Sequence, residues 1–116
     1  MRTTIPATSL RLFVGEAEIV EGRPVYEALV LAAREPGLAG ATVVRGALGY
    51  GHTSRLHTGK ILRLSDDLPV IVEPVDTPEA IERFLDAVEP MLDRCVVTTT
   101  PVQRLQRDAP APQRER

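Results

Sequence analysis

Aromatic residues are almost missing from this chain: two Phe, two Tyr and no Trp make up 3% of 116 residues. The core must therefore be aliphatic, and the ring faces on which nucleic-acid bases stack are scarce. There is one cysteine, Cys95, which excludes an internal disulfide and fits a reducing compartment. No apolar run approaches the roughly 20 residues needed to cross a bilayer. The opening MRTTIPATSL has no apolar h-region. No membrane span and no signal peptide are expected, and the expected location is cytoplasmic. No glycine follows Gly59, and Lys60 is the only lysine.

The most informative absence is of negative charge. From Pro36 to Ser65 there is no Asp or Glu. That stretch holds Arg45, Arg55, Lys60 and Arg63, both histidines (His52 and His57) and six of the eight glycines. Taking its four cations from the fourteen Lys and Arg leaves ten against sixteen Asp and Glu elsewhere, a net of −6. An acidic chain that gathers cations and flexible backbone into one segment has the composition of an anion site or of a surface for an acidic partner. Nucleic acid is not the expected partner: the formal net charge is −2 and no recognition motif is present.

At this length one domain is expected, with 43% hydrophobic and 26% charged residues, as in ordinary globular proteins. Residues 1–8 read as a loose lead-in, 9–105 as the domain and 106–116, polar and rich in Pro and Ala, as a disordered tail. SLRLFVGE alternates as a strand with Leu10, Leu12 and Val14 on one face. Pro24 suits the first turn of a helix whose stripe is Val25, Ala28, Leu29 and Ala32, ended by Pro36-Gly37. ATVVRGAL (41–48) is the second strand, KILRLS a short strand arm and PVIVEPV (69–75) the third strand. Pro74 there lacks a ladder donor, so a bulge or the strand end is expected. Asp76 or Thr77 caps a second helix that buries Ile81, Leu85 and Val88, and Pro90 should kink or end it. CVVTTTPVQRL is the last strand. The order strand–helix–strand–strand–helix–strand gives an α+β, ferredoxin-like βαββαβ fold, a four-stranded antiparallel sheet with two helices on one face. The other face carries Phe13 and parts of VVRGAL and CVVTTT, too apolar for water, and burial between subunits is expected.

RLFVGE, EGRPVYEAL, GLAGATVVRGALGYGHTSRLHTGKILRLSDDLPVIVE and DTPEAIERFL together resemble the bacterial "domain of unknown function 190" family, over about residues 9–105. Through it the chain is similar to the PII signal-transduction superfamily. That resemblance implies a homotrimer of ferredoxin-like subunits and a partner-contacting T-loop at residues 49–67. It also implies nucleotide binding in the clefts between subunits near the base of that loop. Family members are often encoded beside putative ion exporters, which points to a transporter or channel as partner. One feature departs from true PII proteins: their second Gly-rich loop, before the last strand, is here the Gly-free DRCVVTTT, which cannot wrap a phosphate as closely.

The candidate ligand-binding residues are Arg45, Gly49, Gly51, His52, Arg55, His57, Lys60 and Arg63. Each has a plainer reading. Gly46, Gly49 and Gly51 form a G-x-x-G-x-G with no helix after it, a weak phosphate fingerprint, and turn geometry alone explains them. Arg45 and Arg63 have Glu73 as a possible ion-pair partner. The histidines are five apart with no carboxylate or Cys nearby, poor spacing for zinc. Cys95 reads as a small core residue without a base to activate it. Glu79, Glu82, Asp86, Glu89 and Asp93 lie on the solvated helix face. No catalytic constellation is visible and no enzyme is expected. The leading reading is a regulatory protein that senses a small anion, a nucleotide foremost. The alternative is a metal-responsive trimer like the copper-tolerance relatives of PII, with His52, His57 and Cys95 as its soft ligands.

Overall fold

The structure is a computed structural model that describes residues 2–35, 37–47 and 68–107. Strand β1 (Arg2–Gly15) leads into a small hairpin, β2 (Ile19–Val20) and β3 (Arg23–Pro24), and then helix α1 (Val25–Arg34). Strands β4 (Ala41–Arg45) and β5 (Pro69–Asp76) follow, then α2 (Pro78–Ala87), a 3-10 turn at Glu89–Arg94 and strand β6 (Val96–Arg107). The main sheet has the order β4-β5-β1-β6 and every pair is antiparallel. This is the ferredoxin-like arrangement expected from the element order.

Period-two and period-3.6 patterns meet on one side of the sheet. Leu10, Leu12 and Val14 of β1 and Val70 and Val72 of β5 are buried against Val25, Leu29 and Ala33 of α1 and Ile81, Phe84 and Val88 of α2 and its end. Phe84 is the largest side chain in this core. Burial of each such aliphatic or aromatic side chain contributes on the order of 1.5–3 kcal/mol. Helix α1 ends in a Schellman motif: Leu38 N–H donates to the Ala33 carbonyl (3.2 Å) and Gly37 N–H to that of Arg34 (3.1 Å). Gly37 takes φ 85°, the left-handed region that glycine enters at no steric cost. Pro24 is the residue before α1 rather than in its first turn. Thr77 caps α2 by accepting from Ala80 N–H at 3.1 Å. Pro90 ends the regular helix as expected, and the chain continues as the 3-10 turn.

Four expectations are corrected. The first strand begins at Arg2, not Ser9: residues 2–7 pair with Val102–Arg107 and extend the ladder beyond β5, whose pairing stops at Thr8↔Asp76. For the same reason residues 106 and 107, assigned to the tail, belong to β6. These segments, RTTIPA and VQRLQR, carry no regular apolar period, and it is their pairing with each other that orders them. Strand β4 ends at Arg45 rather than Leu48. At Pro74 the strand neither bulges nor ends. The β1 ladder skips Leu10 and Arg11 but keeps its register on both sides, and the Pro74 ring is fully buried. The missing donor is absorbed as a local gap. The arm KILRLS lies outside the described residues.

Candidate functional site

Four connections of the fold converge at one end of the sheet: the exit of β1, the exit of β4, the entry of β5 and the 3-10 turn before β6. Register places Gly15 opposite Pro69, Arg45 opposite Val70 and Phe13 opposite Val96. The chain between Ala47 and Leu68 leaves and returns here. Its two described ends are tied to one residue. Glu16 N–H donates to the Leu68 carbonyl at 2.8 Å. The Glu16 carboxylate accepts from Arg45, at 3.1 Å from Nε and also from Nη2, both on Oε2. The Glu16 hydrogen bond and charge, with a further contribution from the Tyr26 hydroxyl, hold the Arg45 guanidinium above its ordinary pKa. Beside it, Gly46 N–H donates to the Pro69 carbonyl at 2.7 Å. A Cβ on Gly46 would stand 2.7 Å from Pro69 Cγ, so this glycine is there for close approach, and its N–H is already committed.

Behind this base a half-open pocket of about 470 Å³ lies between the β2–β3 turn, α1 and the 3-10 turn. Val20, Ala28, Ala87 and Met91 supply apolar wall, and Arg23 and Arg94 supply charge. The volume suits a small organic ligand. Both cations have partners: Arg94 Nη1 is 3.1 Å from Glu18 Oε2 and Arg23 Nε is 4.0 Å from Glu27 Oε1.

The face of the sheet away from the helices carries a row that crosses all four strands, Val44–Ile71–Phe13–Val96. Val44 and Val96 are 46% and 41% exposed. The next row is polar. Glu73 accepts from Ser9 Oγ at 2.7 Å and lies 3.4 Å from Arg11 Nε. The Ser9 hydrogen bond, helped by Arg11 and opposed by partial burial, holds the Glu73 carboxyl below its usual range.

The family model of DUF190, described as an uncharacterized ACR, matches residues 7–104. This chain belongs to the DUF190 family. Its relatives include a UPF0166 protein of Aquifex aeolicus, 45% identical over 80 residues that cover 69% of this chain and 76% of the relative. A UPF0166 protein of Methanocaldococcus jannaschii is 38% identical over 81 residues, covering 70% and 74%. Among solved structures the DUF190 chain is similar to the apo form of CPII, a nitrogen regulatory PII-like protein from Thiomonas intermedia K12. The TM-score is 0.65 at 16% identity, over 92% of this chain and 100% of that one. CPII bound to ADP and bicarbonate gives 0.63 at 19% identity, over 87% and 90%. At these identities the likeness is one of fold, and the fold is PII-like.

Of the residues that the sequence singled out in this DUF190 chain, Arg45 stands at the base just described, paired with Glu16 rather than Glu73. Gly49, Gly51, His52, Arg55, His57, Lys60 and Arg63 lie outside the described residues. Glu73, read as a partner for Arg45 or Arg63, is engaged by Ser9 and Arg11 instead. Cys95 is buried, and its thiol lies 3.6 Å from the Met91 carbonyl. Burial first, then the charges of Asp93 and Glu18, push its pKa up to about 11, so it stays a neutral thiol near pH 7 and a poor soft ligand. Among the described residues, no three His, Cys, Asp or Glu side chains are grouped to hold a metal ion. No helix among them is long and apolar enough to cross a membrane. Sequence reading missed Glu16. Its sequence signal was faint: a carboxylate just after a strand, 29 residues from Arg45.

Proposed function

We propose that this chain is a PII-like ligand-sensing protein and not an enzyme. A small anion, a nucleotide first of all, binds at the base of segment 49–67 in a cleft between subunits of a cytoplasmic homotrimer. Arg45, Arg55, Lys60, Arg63, His52 and His57 supply positive charge or donors, and Gly49 and Gly51 allow close backbone approach. Occupancy is read by a partner, a transporter or channel, through the same segment. The observation that carries this reading is the base itself: Arg45 and both described ends of the segment that holds most of the carboxylate-free stretch 36–65 meet at one end of a PII-like sheet. The bound ADP and bicarbonate of CPII support the ligand class by analogy.

The test is a thermal-shift panel of ADP, AMP, ATP, bicarbonate and divalent metals. A ligand at 100 times its dissociation constant stabilises the native state by about 2.7 kcal/mol, and for a domain of this size the midpoint rises by roughly 10 °C. Nucleotides should give that shift, and Lys60→Ala should weaken binding about tenfold, or about 1.4 kcal/mol. A shift with metals alone would favour the copper-tolerance type of trimer. No shift with any nucleotide or oxyanion would overturn the anion reading.

A further inference from the structure

We infer that the Nε–Nη2 edge of Arg45 forms a site for a small planar oxyanion of the carboxylate or bicarbonate class, which the Glu16 carboxylate fills in the unliganded chain. This rests on the proposal that anions bind at the base of segment 49–67, and it names the residue that competes with them.

Three observations point this way. Arg45 presents the Nε–Nη2 edge of its guanidinium, two parallel donors whose spacing matches the two oxygens of a planar oxyanion. Glu16 meets both donors with the single oxygen Oε2. An incoming carboxylate or bicarbonate that offers one oxygen to each donor makes the better fit. The pair is also accessible, with side chains 53% and 29% exposed for Arg45 and Glu16. An exposed ion pair of this kind holds its partners only weakly against solvent and competing ions. Finally, the Glu16 backbone is fixed independently of its side chain, through its N–H on the Leu68 carbonyl. The carboxylate can swing away while that tie between the β1 exit and the β5 entry stays in place. Glu16 is thus a tethered occupant, and its affinity for Arg45 sets the threshold that a free oxyanion must exceed.

The experiment is a bicarbonate titration of the full chain at constant ionic strength, followed by the Arg45 Nε–H resonance, with wild type, Glu16→Gln and Arg45→Gln compared. Wild type should shift saturably. Glu16→Gln should bind about two- to fivefold more tightly, the range expected for losing an exposed competing pair. Arg45→Gln should lose the site. Equal or weaker binding by folded Glu16→Gln would overturn the inference and make Glu16 a structural tie only. If that variant does not fold, Arg45→Lys takes its place: it keeps a charge beside Glu16 but not the two parallel donors, so bicarbonate affinity should fall, and an unchanged value would overturn the inference. An ADP thermal shift that persists while bicarbonate binding ignores Glu16 would sink this inference alone. Loss of both responses would sink the proposed function with it.

Discussion

Glu21 occupies a backbone conformation that suits other residues better. It has φ 49°, the only non-glycine residue with positive φ among the described residues, and Gly22 follows at φ 77°. Two successive positive φ values mark the two-residue hairpin turn between β2 and β3, where Asn-Gly is preferred because Asn tolerates the left-handed region. The expected outcome is that Glu21→Asn raises stability by roughly 0.5–1 kcal/mol, read as a higher urea midpoint at unchanged m value. Gly46 is the opposite case. Any side chain there meets the Pro69 ring at 2.7 Å and the Pro69 carbonyl at 3.3 Å, and backbone does not give way cheaply. Gly46→Ala should therefore destabilise by about 1–3 kcal/mol, as overpacked sites do, and lower the melting midpoint. A neutral result would mean that β4 and β5 slide apart at their loop end without cost, and that the base is softer than its hydrogen bonds imply.

The start of α2 couples an element boundary to pH. Asp76 Oδ1 accepts from Thr77 N–H at 2.7 Å and Oδ2 from Ala39 N–H at 2.8 Å, so one carboxylate joins the α1–β4 connection to the α2 cap. Partial burial raises its pKa, but the two backbone donors and the charges of Arg104 and Arg83 outweigh that and set it below the ordinary value. Glu73 is depressed as well, by Ser9 first. A depressed folded pKa means stability that is complete above the unfolded value, near pH 4, and lost as pH falls through the folded one. Melting between pH 5 and 2 should show this acid limb in wild type and a flatter one in Asp76→Asn; identical limbs would assign the acid sensitivity elsewhere. Thr77→Ala should cost about 1 kcal/mol at neutral pH through its lost cap. What was legible in the sequence follows the same division between local and distant causes. Leu10, Leu12 and Val14, Val25 and Leu29 of α1, and the Thr77 cap, one of two candidates there, are local patterns and were readable, whereas the third core residue of α1 is Ala33 and not the expected Ala28 or Ala32, which are half-buried. The outer halves of β1 and β6 are held by partners a hundred residues away, and Thr3 or Gln106 alone carries no sign of that. The persistence of β5 through Pro74 was equally hidden, because its neighbours keep the register. At the candidate site, charge statistics singled out Arg45, but its ion-pair partner Glu16, 29 residues away, becomes visible only when the sheet end is assembled.

At the scale of the whole molecule, the helices cover one face of the sheet and leave the other with an apolar row beside a polar one. Val44, Ile71, Phe13 and Val96 cross every strand in register, and a contiguous band of this kind on a single subunit marks a surface for association. The adjacent Arg11–Glu73–Ser9 group is satisfied within the chain, so a neighbour can cover that face without stranding a buried charge. A second copy of the chain is the occupant we propose for it, and closed cyclic symmetry would give that assembly a finite size. Light scattering should give about three times the 12.7 kDa chain mass. Phe13→Asp places a charge at the centre of the row, where it is desolvated if a neighbour packs there and harmless if water does. The expected outcome is dissociation with the β1–α core intact, because Leu12 and Val14 face the other way, so the variant should keep its far-ultraviolet circular dichroism while its mass falls to that of one chain. A wild-type protein that is monomeric at micromolar concentration would remove the trimer and, with it, any ligand cleft between subunits. A Phe13→Asp protein that stays trimeric would leave the trimer standing but move its interface off this face.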